Sequence, residues 1–170
     1  MKVRLLVVLS SLIFSSQAFS GLLIDPYLGI GRSAFAIEGV VLADPDAESS
    51  SSIGSRLGYS FLLVSAGIDY EMVTAGDFKV TNTSAFVGVD LPILLRFWGE
   101  VMLSSNLDDD SSTTYDFKDG YSVGVGFTGL PFVSLNLELS TLNYEFTFLN
   151  NDADFSVAST TFSVSLPLDF

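Results

Sequence analysis

The chain has 170 residues, 48% of them hydrophobic, and 20 acidic against 7 basic residues give it a formal net charge of −13. That balance, without a basic patch, excludes a nucleic-acid binder, and the apolar share excludes an acidic disordered protein. Histidine and cysteine are both absent, which removes a disulfide framework, Ser-His-Asp and Cys-His nucleophilic sites, and the usual zinc sites.

In chain order, Lys2 and Arg4 precede the apolar run Leu5 to Phe14, and small residues follow at Ser16, Ala18 and Ser20. This is the pattern of a secretory signal peptide. The run is too short for a spanning helix, which needs ~20 residues. Residues 1–20 are therefore expected to be a signal peptide, cleaved after Ala18 or Ser20, and residues 21–170 to form one domain. Without Lys2 and Arg4, five basic residues face twenty acidic ones, a formal charge of −15.

The remainder divides into eight segments in which alternate residues are apolar, the period of a β-strand with two unlike faces. The first is Leu22 to Ala34, with Leu22, Ile24, Leu28 and Ile30 on one face. Ile53, Leu57 and Tyr59 mark the second, and Val64, Ala66, Ile68 and Tyr70 the third. Ala85, Val87, Val89 and Leu91 mark the fourth, and Leu95, Phe97, Val101 and Leu103 the fifth. Tyr121, Val123, Val125 and Phe127 mark the sixth, and Val133, Leu135, Leu137 and Leu139 the seventh. A shift of phase to Leu142 and Tyr144 suggests a bulge near Ser140. The eighth is Phe162, Val164, Leu166, Leu168 and Phe170.

Connections are tight at 61–63, 91–94 and 128–131, whereas 35–52, 72–83, 105–118 and 143–155 read as long polar loops. Regular short strands of this kind indicate an all-β sandwich or barrel. Pro26 and Pro167 fall in the first and last strands, where each removes a backbone donor, so a locally loose seam is expected there.

The aromatic-terminated run Phe162 to Phe170, with the strand count and the asymmetry of the connections, resembles the small outer-membrane β-barrels of Gram-negative bacteria, of the OmpA-domain, OmpX and OmpW type. The resemblance implies an eight-stranded, antiparallel, up-and-down transmembrane β-barrel in the outer membrane. It also implies that the assembly machinery reads Phe162, Val164, Leu166, Leu168 and Phe170. Outer-membrane lipid and lipopolysaccharide are the implied neighbours. The protein is expected to be a monomer without a cofactor. No appended periplasmic domain is read from the chain, so anchoring to the cell wall is not expected.

Alternation does not say which face points inward, and a soluble lipocalin also has eight strands around an apolar interior. Here the polar face is built from small residues: Gly29, Gly31 and Ser33; Gly54, Gly58 and Ser60; Ser65 and Gly67; Ser122, Gly124 and Gly126; Ser163 and Ser165. Small residues suit a crowded eight-stranded lumen better than a water-facing sheet, where glycine weakens strands. The inward charges are then Arg56, Asp69, Asp90, Arg96, Glu100 and Glu138. Hairpin geometry sets Arg56 opposite Asp69, Asp90 opposite Arg96, and Gly88 opposite Trp98, whose ring is expected to cover the glycine. Glu100 shares the face of Arg96, and Glu138 has no evident cation. A packed interior of paired charges is expected rather than a polar pathway.

Clustered carboxylates at Asp108-Asp109-Asp110 invite a Ca²⁺ loop. Thr113 stands where such a loop needs glycine and Asp119 where it needs glutamate, so a solvated loop is expected. Gly29-Ile30-Gly31 is not followed by a helix pattern and is not a phosphate loop. The expected function is structural or surface-interacting and not enzymatic. The alternatives are a narrow conduit for small or apolar molecules and a secreted lipocalin-like binder.

Overall fold

The computed structural model describes residues 21–37, 47–108, 115–148 and 151–170. Residues 1–20, expected to be a signal peptide, and the stretches 38–46 and 109–114 of the expected polar loops lie outside the described residues.

Eight long strands form the wall: β1 (Gly21–Ile37), β2 (Glu48–Phe61), β3 (Val64–Ala75), β4 (Phe78–Leu91), β5 (Leu95–Asp108), β6 (Tyr115–Phe127), β7 (Ser134–Phe148) and β8 (Asn151–Ser165). A two-residue strand, β9 (Leu168–Asp169), continues β8. Each strand pairs antiparallel with the next, and β1 pairs with both β2 and β8, so the sheet closes into the expected up-and-down barrel. Every strand of the wall is paired on both sides through the apolar section, where β5 and β6 pair from Leu95↔Phe127 to Val101↔Tyr121, and such closure is what allows a sheet to stand in lipid. Strands of 12 to 17 residues are longer than the ~9–11 needed to cross a bilayer at a tilt.

The surplus length has its own chemistry. Near the tight-turn end the outer face is apolar and exposed: Leu57 and Tyr59, Ile68 and Tyr70, Val87 and Val89, Val123, Leu137 and Leu139, Phe162 and Val164. Toward the other end the pattern inverts on the same strands. On β4 the outward residues become Thr83, Thr81 and Lys79 while Val80 turns inward; on β7 they become Thr141 and Asn143 while Leu142 and Tyr144 turn inward. Inward Val80, Met102, Leu107, Leu142, Tyr144, Phe155 and Val157 make one apolar cluster, with Val73, Phe78 and Phe117 packed against it. An apolar band that meets lipid thus gives way to a section that behaves like a water-soluble barrel, polar outside and apolar inside.

This inversion corrects two expectations. Segments 72–83 and 143–155 are mostly strand, joined through the two-residue turn Gly76-Asp77 in the first case and running to Phe148 and from Asn151 in the second. There is also no bulge at Ser140: β7 stays in continuous register with β8 from Ser134 to Phe148, so the shift at Leu142 is a change of environment and not of phase. The irregularities in the ladders fall elsewhere, leaving Leu103 of β5 and Lys118 of β6 without a cross-strand partner. Lys118 projects among Asp154 at 2.7 Å and Glu145 at 2.8 Å, which hold its ammonium above the ordinary lysine range. The cluster is exposed and adds little to stability.

At the proline seam, β1 and β8 pair from Ile37↔Phe155 to Tyr27↔Ser165, and pairing resumes at Ile24↔Leu168. Leu166 donates its amide to the Pro26 carbonyl at 3.0 Å, and Leu22 and Phe170 exchange two bonds of 3.0 Å. The ladder is interrupted at Pro26 and Pro167 without a change of register. The three tight turns carry a different cost. Leu62, Leu94 and Phe132 sit at φ 56°, 64° and 66°, a left-handed backbone that costs an L-residue about 1–2 kcal/mol.

Candidate functional site

Small residues at alternate positions clear the centre of the barrel, and two aromatic side chains fill the space they leave. Tyr27 of β1 lies over Gly54 of β2, and Trp98 of β5 lies over Gly124 of β6; a Cβ at either glycine would overlap the ring. Gly88 does pair with Trp98 in register, but the indole lies over the neighbour on the other side. The expected ring-over-glycine contact is therefore made with a different glycine. Gly124→Val is expected to push the indole off its site and cost about 1–3 kcal/mol by overpacking, read as an earlier midpoint in urea unfolding.

Between these rings sits the guanidinium of Arg56, with its Cζ 4.8 Å from the Tyr27 ring centroid and 4.4 Å from that of Trp98. Stacking of this kind suits the planar, weakly hydrated arginine head. Four carboxylates surround its edge: Glu138 at 2.9 Å, Asp69 and Glu100 at 3.3 Å, and Asp25 at 3.7 Å. Each of three also accepts from a neutral donor. Tyr27 donates to Asp69 at 3.0 Å, Ser84 to Glu100 at 2.7 Å and the Trp98 indole to Glu138 at 3.0 Å. Below, toward the tight turns, Arg96 donates to Asp90 at 2.7 Å and to Asp25 at 3.2 Å. Asp25 thus links the two arginines.

All six charges expected inside the barrel, Arg56, Asp69, Asp90, Arg96, Glu100 and Glu138, point into it, and Arg56–Asp69 and Asp90–Arg96 are in the expected register. Glu138, which lacked an evident cation, is bonded by Arg56. Sequence reasoning missed Asp25 and Glu71, both inward, and Tyr27, Phe86 and Asn136, which fill the lumen beside them. Asp25 had one usable signal, since it lies two residues from Tyr27 and four from Gly29 on the same face. Phe162, Val164, Leu166, Leu168 and Phe170 stand exposed on the outer face.

Above the network lies the apolar cluster. Tyr144 anchors it, fully buried, edge-on to Phe117 with centroids 5.9 Å apart and tilted against Phe155 at 6.2 Å. The cavity between Glu71, Asn82 and this cap holds about 20 Å³, room for about one water. A charge crossing the barrel would have to break the Arg56 cage and then enter an apolar layer, which is the costly order of events. In the tight-turn section the polar interior and exposed apolar exterior are the reverse of a lipocalin.

Solved structures share this architecture. A designed transmembrane β-barrel superposes with a TM-score of 0.57 at 11% identity, covering 87% of this chain and 96% of the other. Neisserial surface protein A gives a TM-score of 0.53 at 14% identity, covering 84% and 96%. Ail, the attachment invasion locus protein of Yersinia pestis, solved with the heparin analogue sucrose octasulfate, gives 0.53 at 11% identity, covering 87% and 99%. No protein-family model matches the sequence, and no curated protein matches it. At these identities the likeness is one of fold: the chain is a closed eight-stranded barrel of the transmembrane kind.

Proposed function

We propose that this chain is a non-enzymatic outer-membrane β-barrel whose interior is a structural core, and which acts through its outer surface among lipid and lipopolysaccharide. The observation that supports a closed interior is Arg56, buried between two aromatic rings and four carboxylates beneath an apolar cap. A conduit needs binding groups that a solute can exchange with, and these are committed to one another. The exposed run Phe162 to Phe170 supports a further role for that face, as the edge presented to the assembly machinery.

The surface differs in charge from what a polyanion would seek. Ail was solved with a polysulfated sugar, but the polar section of this barrel carries exposed Asp108, Asp116 and Asp119. Exposed Lys79 and Lys118 offset only part of this charge, so a soluble polysulfated partner is not expected, and contact with lipopolysaccharide would run through the apolar band below.

Planar-bilayer recording of the refolded protein tests the closed interior, with no discrete current steps expected. Resolved openings would overturn it in favour of a narrow conduit. Cell fractionation with heat-dependent gel mobility tests the location. A membrane fraction with a mobility shift is expected, and a soluble pool would overturn it.

A further inference from the structure

The tight-turn end of the barrel opens into a cavity of about 660 Å³, within the ~300–1,000 Å³ range of small-molecule sites. Its rim is apolar and strained. Leu62, Leu94 and Phe132, the three left-handed turn residues, all line it, and Phe132 is 86% exposed. Glycine would take those backbones without strain, so each turn holds a large side chain at the mouth against a local cost.

The wall behind the rim is polar and incompletely satisfied. Ser134 lines the cavity, is 1% exposed, and its hydroxyl has no hydrogen-bond partner among the described residues. Buried polar groups are rarely left so. Arg96, the cation of this wall, is committed to Asp90 and Asp25. The second oxygen of Asp25 is also unpartnered. Asp169 adds a further carboxylate, held by the Ser60 hydroxyl at 2.9 Å. Of the charged groups that line the cavity, Asp90 and Asp169 face the single guanidinium of Arg96, so the wall is one charge negative.

We propose that this mouth is a binding site for a small amphipathic organic cation, an ammonium head on a short apolar arm. The ammonium has three protons to donate, and Asp90, Asp169 and the Ser134 hydroxyl offer acceptors. The arm lies against Leu62, Leu94 and Phe132. Anchoring in a lipid interface would explain the apolar rim alone; it does not explain the unpartnered hydroxyl or the excess of carboxylate behind it. The site stands apart from the question of conduction, because the Arg96–Asp25 floor closes it below the Arg56 cage.

The test is amide and side-chain NMR of the refolded protein in nanodiscs, titrated with n-butylammonium, n-butanol or butyrate. Saturable shifts at Ser65, Arg96 and Ser134 are expected with n-butylammonium, and not with the alcohol or the anion. Asp169→Asn keeps the Ser60 bond and removes one charge, so it is expected to weaken binding by about tenfold; Ser134→Ala, with no charge altered, is expected to weaken it less. Equal shifts with n-butanol, or saturable shifts that both variants retain in full, would overturn the proposal. So would the absence of saturable shifts in the unaltered protein.

Discussion

Arg56→Leu is expected to remove most of the stability of the barrel. Breaking one buried ion pair by deleting a partner costs about 3–5 kcal/mol, because the remaining charge stays buried and unpaired. Arg56 is the shared partner of four carboxylates, so the loss should reach or exceed the top of that range. A domain has only about 5–15 kcal/mol to lose. The measurement is urea unfolding of protein refolded into vesicles, followed by the fluorescence of Trp98, the single tryptophan of the chain. Arg56→Lys keeps the charge but not the planar fork or the stacking between Tyr27 and Trp98, and should fall between the two. Adding Glu138→Gln to Arg56→Leu should recover part of the loss, since one unpaired carboxylate is then gone. An Arg56→Leu protein within about 0.5 kcal/mol of the original, the range of an ordinary surface change, would mean that the cage is not a stabilising element.

The same substitution separates packing from gating. The apolar cap of Val80, Met102, Leu142, Tyr144, Phe155 and Val157 lies above Arg56 and does not depend on it for its contacts. Loss of the arginine should therefore lower stability without opening a path, and the bilayer current should stay at background. A rise in current with unchanged stability would make Arg56 a gate.

How much of this was legible in the sequence depended on distance along the chain. Arg56 with Asp69 and Asp90 with Arg96 were readable because each pair spans one hairpin, and a tight turn fixes register. The contacts from Arg56 to Glu100 and Glu138 cross the lumen, from β2 to β5 and β7, and exist only once the barrel closes. No local spacing encodes them. Asp25 was lost for a different reason: the alternation of Leu22, Ile24, Leu28 and Ile30 turns it inward, but its partner Arg56 lies across a long connection that fixes no register. The upper parts of β4 and β7 were read as loops because their outward residues are Lys79, Thr81 and Thr83 on one and Asn143 and Glu145 on the other. A polar outer face marks water as readily as it marks a loop. The period of two was still present at Phe78, Val80 and Asn82, with its apolar side reversed.

That reversal predicts where the bilayer ends, and β7 can be used to measure it. Leu137 points outward between Val125 of β6 and Phe162 of β8, in the apolar band. Leu137→Arg places a charge in hydrocarbon and is expected to cost about 2–4 kcal/mol. Asn143, six residues on, also faces outward but lies in the polar section, bonded to Asp119 at 2.6 Å. Asn143→Arg should cost no more than about 1 kcal/mol, because water reaches it and Asp119 can pair with it. Leu142, between them in height yet facing inward, is 4% exposed within the apolar cap. Leu142→Arg should again be severe, since it puts a guanidinium into an apolar layer with room for about one water, and the inward carboxylate beside it, Glu71, already accepts from Asn82. The expected order is thus costly, mild and costly at 137, 143 and 142, read as urea midpoints in vesicles. Equal costs at Leu137 and Asn143 would mean that the bilayer covers the whole outer wall, and the inversion on β3, β4, β7 and β8 would need another cause.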